Sequence, residues 1–144
     1  MADAGRLRAV LERFPQEARV AVECRHPSWF SDGVRGVLEA SGAALVLADR
    51  GSRPVTPLWR TAPWGYVRLH GGTGRPPSCY GRRALASWAG RMADLYGGDA
   101  DVFVYFNNDG HACALRDAIT LAGLTKREGL RPTRVPPPGQ VAAG

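Results

Sequence analysis

Four short runs of β-branched and other apolar residues recur through residues 19–124, each closing on polar side chains and followed by helical spacing. This alternation of a period of 2 with a period of 3.6 constrains the chain most, because strands joined by helical crossovers run parallel. The runs are Arg19–Cys24, Ala44–Ala48, Gly65–His70 and Asp101–Phe106. The second is apolar on both faces, as in a buried parallel strand. The third sets Val67 and Leu69 against Tyr66, Arg68 and His70. Helical stripes are expected from Leu7, Val10, Leu11 and Phe14 before Pro15, and from Val34, Val37 and Leu38 between a Ser31 or Asp32 cap and Gly42. Two more come from Leu85, Trp88, Met92 and Leu95 within residues 82–96, and from Leu115, Ala118, Ile119 and Ala122 before Gly123.

The expected order is a helix followed by four strand-helix units with right-handed crossovers. Each unit takes about 26 residues, so a closed barrel of eight would need roughly 210. A chain of 144 residues holds half of that. From Thr125 onward the sequence is rich in Pro, Gly and Arg, including Pro136–Pro138, with few apolar residues. The division expected is a domain over residues 1–124 and a flexible tail over residues 125–144.

Composition narrows the functional classes. Of the net charge of +6, half lies in residues 125–144, where Lys126, Arg127, Arg131 and Arg134 face only Glu128. The excess is therefore weak evidence for a nucleic-acid partner, and none is expected. No apolar run approaches the roughly 18 residues of a membrane span, and the first residues show no secretory signal, so a cytoplasmic protein is the expectation. Cys24, Cys79 and Cys113 have no C-x-x-C spacing and are odd in number, which argues against a disulfide framework.

Several motifs together carry a resemblance. Val22-Glu-Cys-Arg-His-Pro-Ser-Trp29, Ala48-Asp49, Tyr66-Val-Arg-Leu-His-Gly71, and Val104-Tyr-Phe-Asn-Asn108 with Ala112 resemble the second half of the YecE-like family, the domain-of-unknown-function family numbered seventy-two. The resemblance spans residues 6–124. It implies a TIM-like barrel without an established activity, whose strands five to eight these would be. The fold class expected is thus α/β, with parallel strands, as the C-terminal half of a TIM-like barrel. The family's first-half segments, a Gly-Trp, a Glu-Asn-Thr-Phe-Tyr-like stretch and a Gln-Leu-Pro-Pro-like stretch, have no counterpart here, so a site shared between halves would be incomplete.

On a parallel barrel the ligand site lies at the C-terminal ends of the strands. Glu23, Arg68 and His70 are the catalytic candidates. Arg25, His26, Asp49, Arg75, Asn107 and Asn108 are the ligand-binding candidates. Alternation places Glu23 and Arg68 opposite the Val residues, so if the Val face meets the helices the two share the other face, and an ion pair between them is expected. A structural ion pair and a site residue fit the pattern equally. Gly71-Gly-Thr-Gly-Arg75 follows the strand after which TIM barrels often hold phosphate on backbone amides, with a plain flexible loop as the alternative. His26, His70 and His111 with Glu23, Asp49, Cys24 or Cys113 lack any sharp metal-ligand spacing, so no metal is expected. Asn107 can orient a ligand, and Asn108 is expected to stabilise the turn. The four tryptophans are expected to pack, and Cys24 and Cys113 to be small packing residues.

Two functional classes remain open at this level. In one, a complete relative is an enzyme acting on a small polar or phosphorylated ligand, with its cofactor unknown. In the other, the half-barrel is a binding or assembly piece that pairs with an N-terminal half or with a second copy. A truncated product without activity of its own is the third outcome.

Overall fold

A computed structural model describes residues 2–135 and Pro137. Its elements run α1 (Ala4–Leu11), β1 (Ala21–Val22), α2 (Asp32–Ala40), β2 (Ala44–Arg50), β3 (Arg53–Pro54), β4 (Gly65–Leu69), α3 (Arg82–Tyr96), β5 (Val102–Phe106) and α4 (Cys113–Arg127). The main strands lie in the order β1-β2-β4-β5 and pair in parallel, while β3 folds back antiparallel on β2. Spatial order therefore follows chain order without reversal, unlike a flavodoxin-like sheet, whose order switches.

One face of the sheet holds the core. Leu45, Leu47, Val67 and Leu69 pack with Leu7 and Leu11 of α1, Val34, Val37 and Leu38 of α2, Leu85, Trp88 and Met92 of α3, and Leu121 and Leu124 of α4. The opposite face carries a smaller cluster of Ala44, Ala62 and Trp64 with Ala21, Tyr66 and Phe103, to which no helix contributes. Alternation along the strands is what separates the faces, and the Val face is the one that meets the helices.

α2 and α3 match the spacing. Ser31 caps α2 by accepting from the Val34 amide at 3.4 Å, and Gly42 follows the helix at φ +61°. α3 occupies residues 82–96 as expected. The other elements require correction. In α1 only Leu7 and Leu11 are buried, whereas Val10, within the helix, and Phe14, beyond its end at Leu11, are each 48% exposed. The first strand shrinks to the two residues that find a ladder partner, Ala21 opposite Ala44 and Val22 opposite Leu45. β2 extends past Ala48 to Arg50, because Gly51 and Ser52, both at positive φ, turn the chain back into β3.

The second crossover contains no helix, so the chain has three strand-helix units and one irregular connection. Pro54, Pro57 and Pro63 interrupt residues 54–64, and proline disfavours helix interiors. Side-chain hydroxyls anchor this segment instead. Thr61 Oγ1 accepts from the Leu45 amide at 2.8 Å and donates to the Ala43 carbonyl at 2.7 Å. Thr56 Oγ1 accepts from the Ala48 amide at 3.1 Å.

α4 passes the expected boundary and reaches Arg127, with Thr125 buried and Leu130 packed on the core. Its buried face is Cys113, Asp117, Leu121 and Leu124, while Leu115 is exposed. The expected stripe was rotated because Asp117, a polar residue, belongs to the inward face. Residues 136 and 138–144 of the expected tail lie outside the described residues. Among the described residues no helix is long and apolar enough to cross a membrane.

Candidate functional site

The ladder places Arg68 beside Ala48 on one neighbouring strand and Tyr105 on the other. Arg68 shares the helix-free face with Tyr66, as alternation requires. Glu23, one residue beyond β1, reaches the same face. The expected ion pair forms: Arg68 Nη1 donates to Glu23 Oε2 at 2.5 Å. His70 Nε2 lies 3.4 Å from Glu23 Oε1, and Arg25 Nε donates to that oxygen at 3.2 Å. Glu23 is thus the hub of a cluster in which its own side chain is 18% exposed, that of Arg68 33% and that of Arg25 75%.

These neighbours decide the charge state of Glu23. Burial pushes its carboxyl up, but the hydrogen bond and charge of Arg68, helped by the charges of Arg25 and His70, outweigh burial and hold it below the usual carboxylate range. The group is a carboxylate at neutral pH, able to accept hydrogen bonds or a proton and not poised to donate one. Tyr66 and Tyr105 stack nearby, with ring centroids 4.9 Å apart and planes 18° from parallel. Tyr105 is 51% exposed.

The remaining candidates lie elsewhere. Asp49 has the parity of Leu45 and Leu47 and points into the helix-facing core, fully buried. Its Oδ1 accepts from the Tyr80 hydroxyl at 2.6 Å and the His70 amide at 3.0 Å. Burial pushes its carboxyl up, against the pull of these donors and of the nearby Trp88 indole. Neither Asp49 Oδ2 nor Trp88 Nε1 reaches hydrogen-bond geometry with any partner. Asp49 is therefore a buried anchor under the strand ends. His26 faces its own turn, where Nδ1 accepts from the Ser28 amide at 3.1 Å. Asn107 is exposed at the end of β5, its amide bonded to the Leu69 carbonyl.

Asn108 does more than shape a turn. Its Nδ2 donates to the Ser78 carbonyl at 2.9 Å and to Asp117 Oδ2 at 2.7 Å, and that oxygen also accepts from the Tyr80 amide at 2.9 Å. Asn108 thereby joins the loop after β4 to α4.

Loop 71–75 is not an anion cradle built on free amides. The Gly71 amide donates to Tyr80 Oη, Gly72 to the Ser78 carbonyl, Thr73 to Ser52 Oγ and Gly74 to the Cys79 carbonyl, at 2.8–3.2 Å. The amides of residues 71–74 are thus all used internally. The loop is also tightly constructed: a Cβ on Gly72 would collide with the Cys79 carbonyl and Tyr80 Cα, and one on Gly74 with the same carbonyl. Arg75 lies on the rim of an open concavity of about 570 Å³ lined by Gly72–Ser78, away from the Glu23 cluster.

The cysteines also depart from expectation. Cys79 and Cys113 form a disulfide between the end of this loop and the first turn of α4, while Cys24 is a buried free thiol. The two are 34 residues apart, and only the packing of α4 against the loop brings them together. Among the described residues no three His, Cys, Asp or Glu side chains converge as a metal-ligand set. Sequence reasoning missed Tyr80 and Asp117. Asp117 had a signal, since Cys113, Asp117, Leu121 and Leu124 keep helical spacing once polar residues are admitted to the stripe. Tyr80 had none.

The chain matches the family model described as protein of unknown function DUF72 over residues 1–140. Among solved structures it is similar to a DUF72 family protein from Enterococcus faecalis, with a TM-score of 0.66 and 18% identity, over 93% of this chain and 55% of that one. It is also similar to a DUF72 family protein from Thermotoga maritima, with a TM-score of 0.64 and 22% identity, over 86% of this chain and 50% of that one. This chain spans about half the length of those structures, and no curated protein matches it. On the family model the chain belongs to the DUF72 family of proteins of unknown function.

Proposed function

We propose that the helix-free face of the sheet is a ligand-binding surface for a small polar molecule, built on Glu23, Arg68 and His70. The observation that carries this reading is the Glu23 hub, a carboxylate held charged by Arg68 beside His70 at the C-terminal end of a parallel sheet. Strand ends of such sheets are where ligands bind. Charge in the cluster is partly compensated, so a hydroxyl-bearing ligand suits it better than a free phosphate. Hydroxyls can donate to Glu23 and accept from Arg68, and the Tyr66–Tyr105 stack offers an apolar wall for a ring. In an enzyme, Glu23 would act as a base.

The same reading treats the sheet as barrel strands five to eight, covered by four further strand-helix units on polypeptide outside residues 1–144. Support comes from the unreversed strand order, from helices confined to one face, and from solved relatives about twice as long. The assembly alternative, a half-barrel pairing with an N-terminal half or a second copy, is favoured by β1 and β5, which among the described residues each pair on one side only.

An NMR titration with ribose tests the site. Arg68 side-chain and His70 ring signals should shift at millimolar ligand, and Arg68→Met should abolish the His70 shift. If neither signal moves in the wild type, the polar-ligand reading fails.

A further inference from the structure

We infer that the Cys79–Cys113 disulfide is a site of exchange with a dithiol and acts as a latch on loop 71–80 and, through it, on His70. The bond ties the end of the loop to the start of α4, with Cα atoms 5.0 Å apart. The loop is joined to α4 by that bond, and also by Asn108 Nδ2, which donates to the Ser78 carbonyl and to Asp117 Oδ2, the oxygen that accepts from the Tyr80 amide. The Gly72 amide donates to the Ser78 carbonyl and the Gly74 amide to the Cys79 carbonyl, so both fasten onto the segment that the disulfide pins. The next residue carries the connection inward: Tyr80 Oη accepts from Gly71 and donates to Asp49 Oδ1, which accepts the His70 amide. His70 then meets Glu23.

A second observation is that uncommon backbone conformations flank the bond on both of its segments. Ser78, beside Cys79, sits at φ +75°, and His111 and Ala112, before Cys113, sit at +57° and +55°. Non-glycine residues disfavour this region, and here they cluster on both sides of one crosslink.

The exchange has a defined direction. A thiolate of the external dithiol attacks Cys79 Sγ, because Cys79 retains 6% exposure and Cys113 none. The S–S bond breaks, a mixed disulfide forms on Cys79, and Cys113 leaves as a thiolate. Its position at the N-terminus of α4 favours that anion, which then takes a proton from water. The second thiol of the reagent, deprotonated, displaces Cys79, whose leaving thiolate lies 3.8 Å from Arg116 Nη2 and is then protonated in turn. The protein gains two electrons and the dithiol becomes its cyclic disulfide.

The inference concerns loop order and does not depend on which ligand the Glu23 cluster takes. Its test treats the full chain with dithiothreitol under native conditions and follows alkylation by mass together with amide hydrogen exchange. Reduction should expose two additional alkylatable thiols and speed exchange at Gly71, Gly72 and Gly74 by at least about tenfold. The His70 ring signal should shift, Val67 should stay protected, and reoxidation should reverse every change. Cys79→Ser should show the reduced-state exchange without reagent. If that variant fails to fold, the reduction of the wild type alone decides. Unchanged loop exchange after reduction, a bond that resists the reagent, absence of the bond in the untreated protein, or exchange rising equally at Val67 would each overturn the latch.

Discussion

Glu23 sets the chemistry of the exposed face because two guanidinium groups and the His70 ring converge on two oxygens of low exposure. Its pKa is lower in the folded protein than in the unfolded one, so its contribution to stability is complete above the unfolded value of about 4.3 and is lost as pH falls through the lower folded value. Glu23→Gln should therefore cost about 1 kcal/mol at neutral pH, a modest amount because Arg68 remains partly solvated. The deficit should shrink as pH falls below the unfolded value and through the lower folded one. Urea denaturation of both proteins across that range checks it, and a gap that grows on acidification would contradict the assignment. The Glu23–Arg68 pair was legible in the sequence, since strand parity alone puts both opposite the Val residues. Asp49 was not, because parity puts it with Leu45 and Leu47 and only the approach of Tyr80 and the His70 amide shows what satisfies a carboxylate there.

Among the elements, the connection between β2 and β4 shows how side chains can substitute for a crossover helix. Thr61 gives and takes one hydrogen bond each with the β2 side, at Leu45 and Ala43, while buried. Thr61→Val keeps the shape but leaves the Leu45 amide without that partner, so a loss of about 1–3 kcal/mol is expected. Thermal denaturation measures the loss, and faster exchange at the Leu45 amide locates it. α2 was legible because its Ser31 cap and its apolar stripe agree, and α3 because its apolar stripe runs through residues 82–96. α4 was misaligned because its inward face includes Asp117, whose partners Tyr80 and Asn108 come from other parts of the chain.

For the whole molecule, the consequence is a sheet face that no helix covers, with Tyr105 half exposed, and two edges without a further strand among the described residues. Such surfaces associate. Sedimentation at micromolar concentration should therefore give a mass above one chain, with binding of an apolar dye, and Tyr105→Lys should lower both. A monomer that binds no dye would contradict the assembly reading and require residues 1–144 to be self-sufficient. The sequence by itself determined the parallel α/β class, the strand parity and the Glu23–Arg68 face, because period and alternation are local properties of the chain. Tertiary structure alone decided the Cys79–Cys113 bond, the internal use of the loop amides and the burial of Asp49. Those depend on which distant segments meet, and Cys79 and Cys113, 34 residues apart in a loop and at a helix start, share no strand alternation that could relate them.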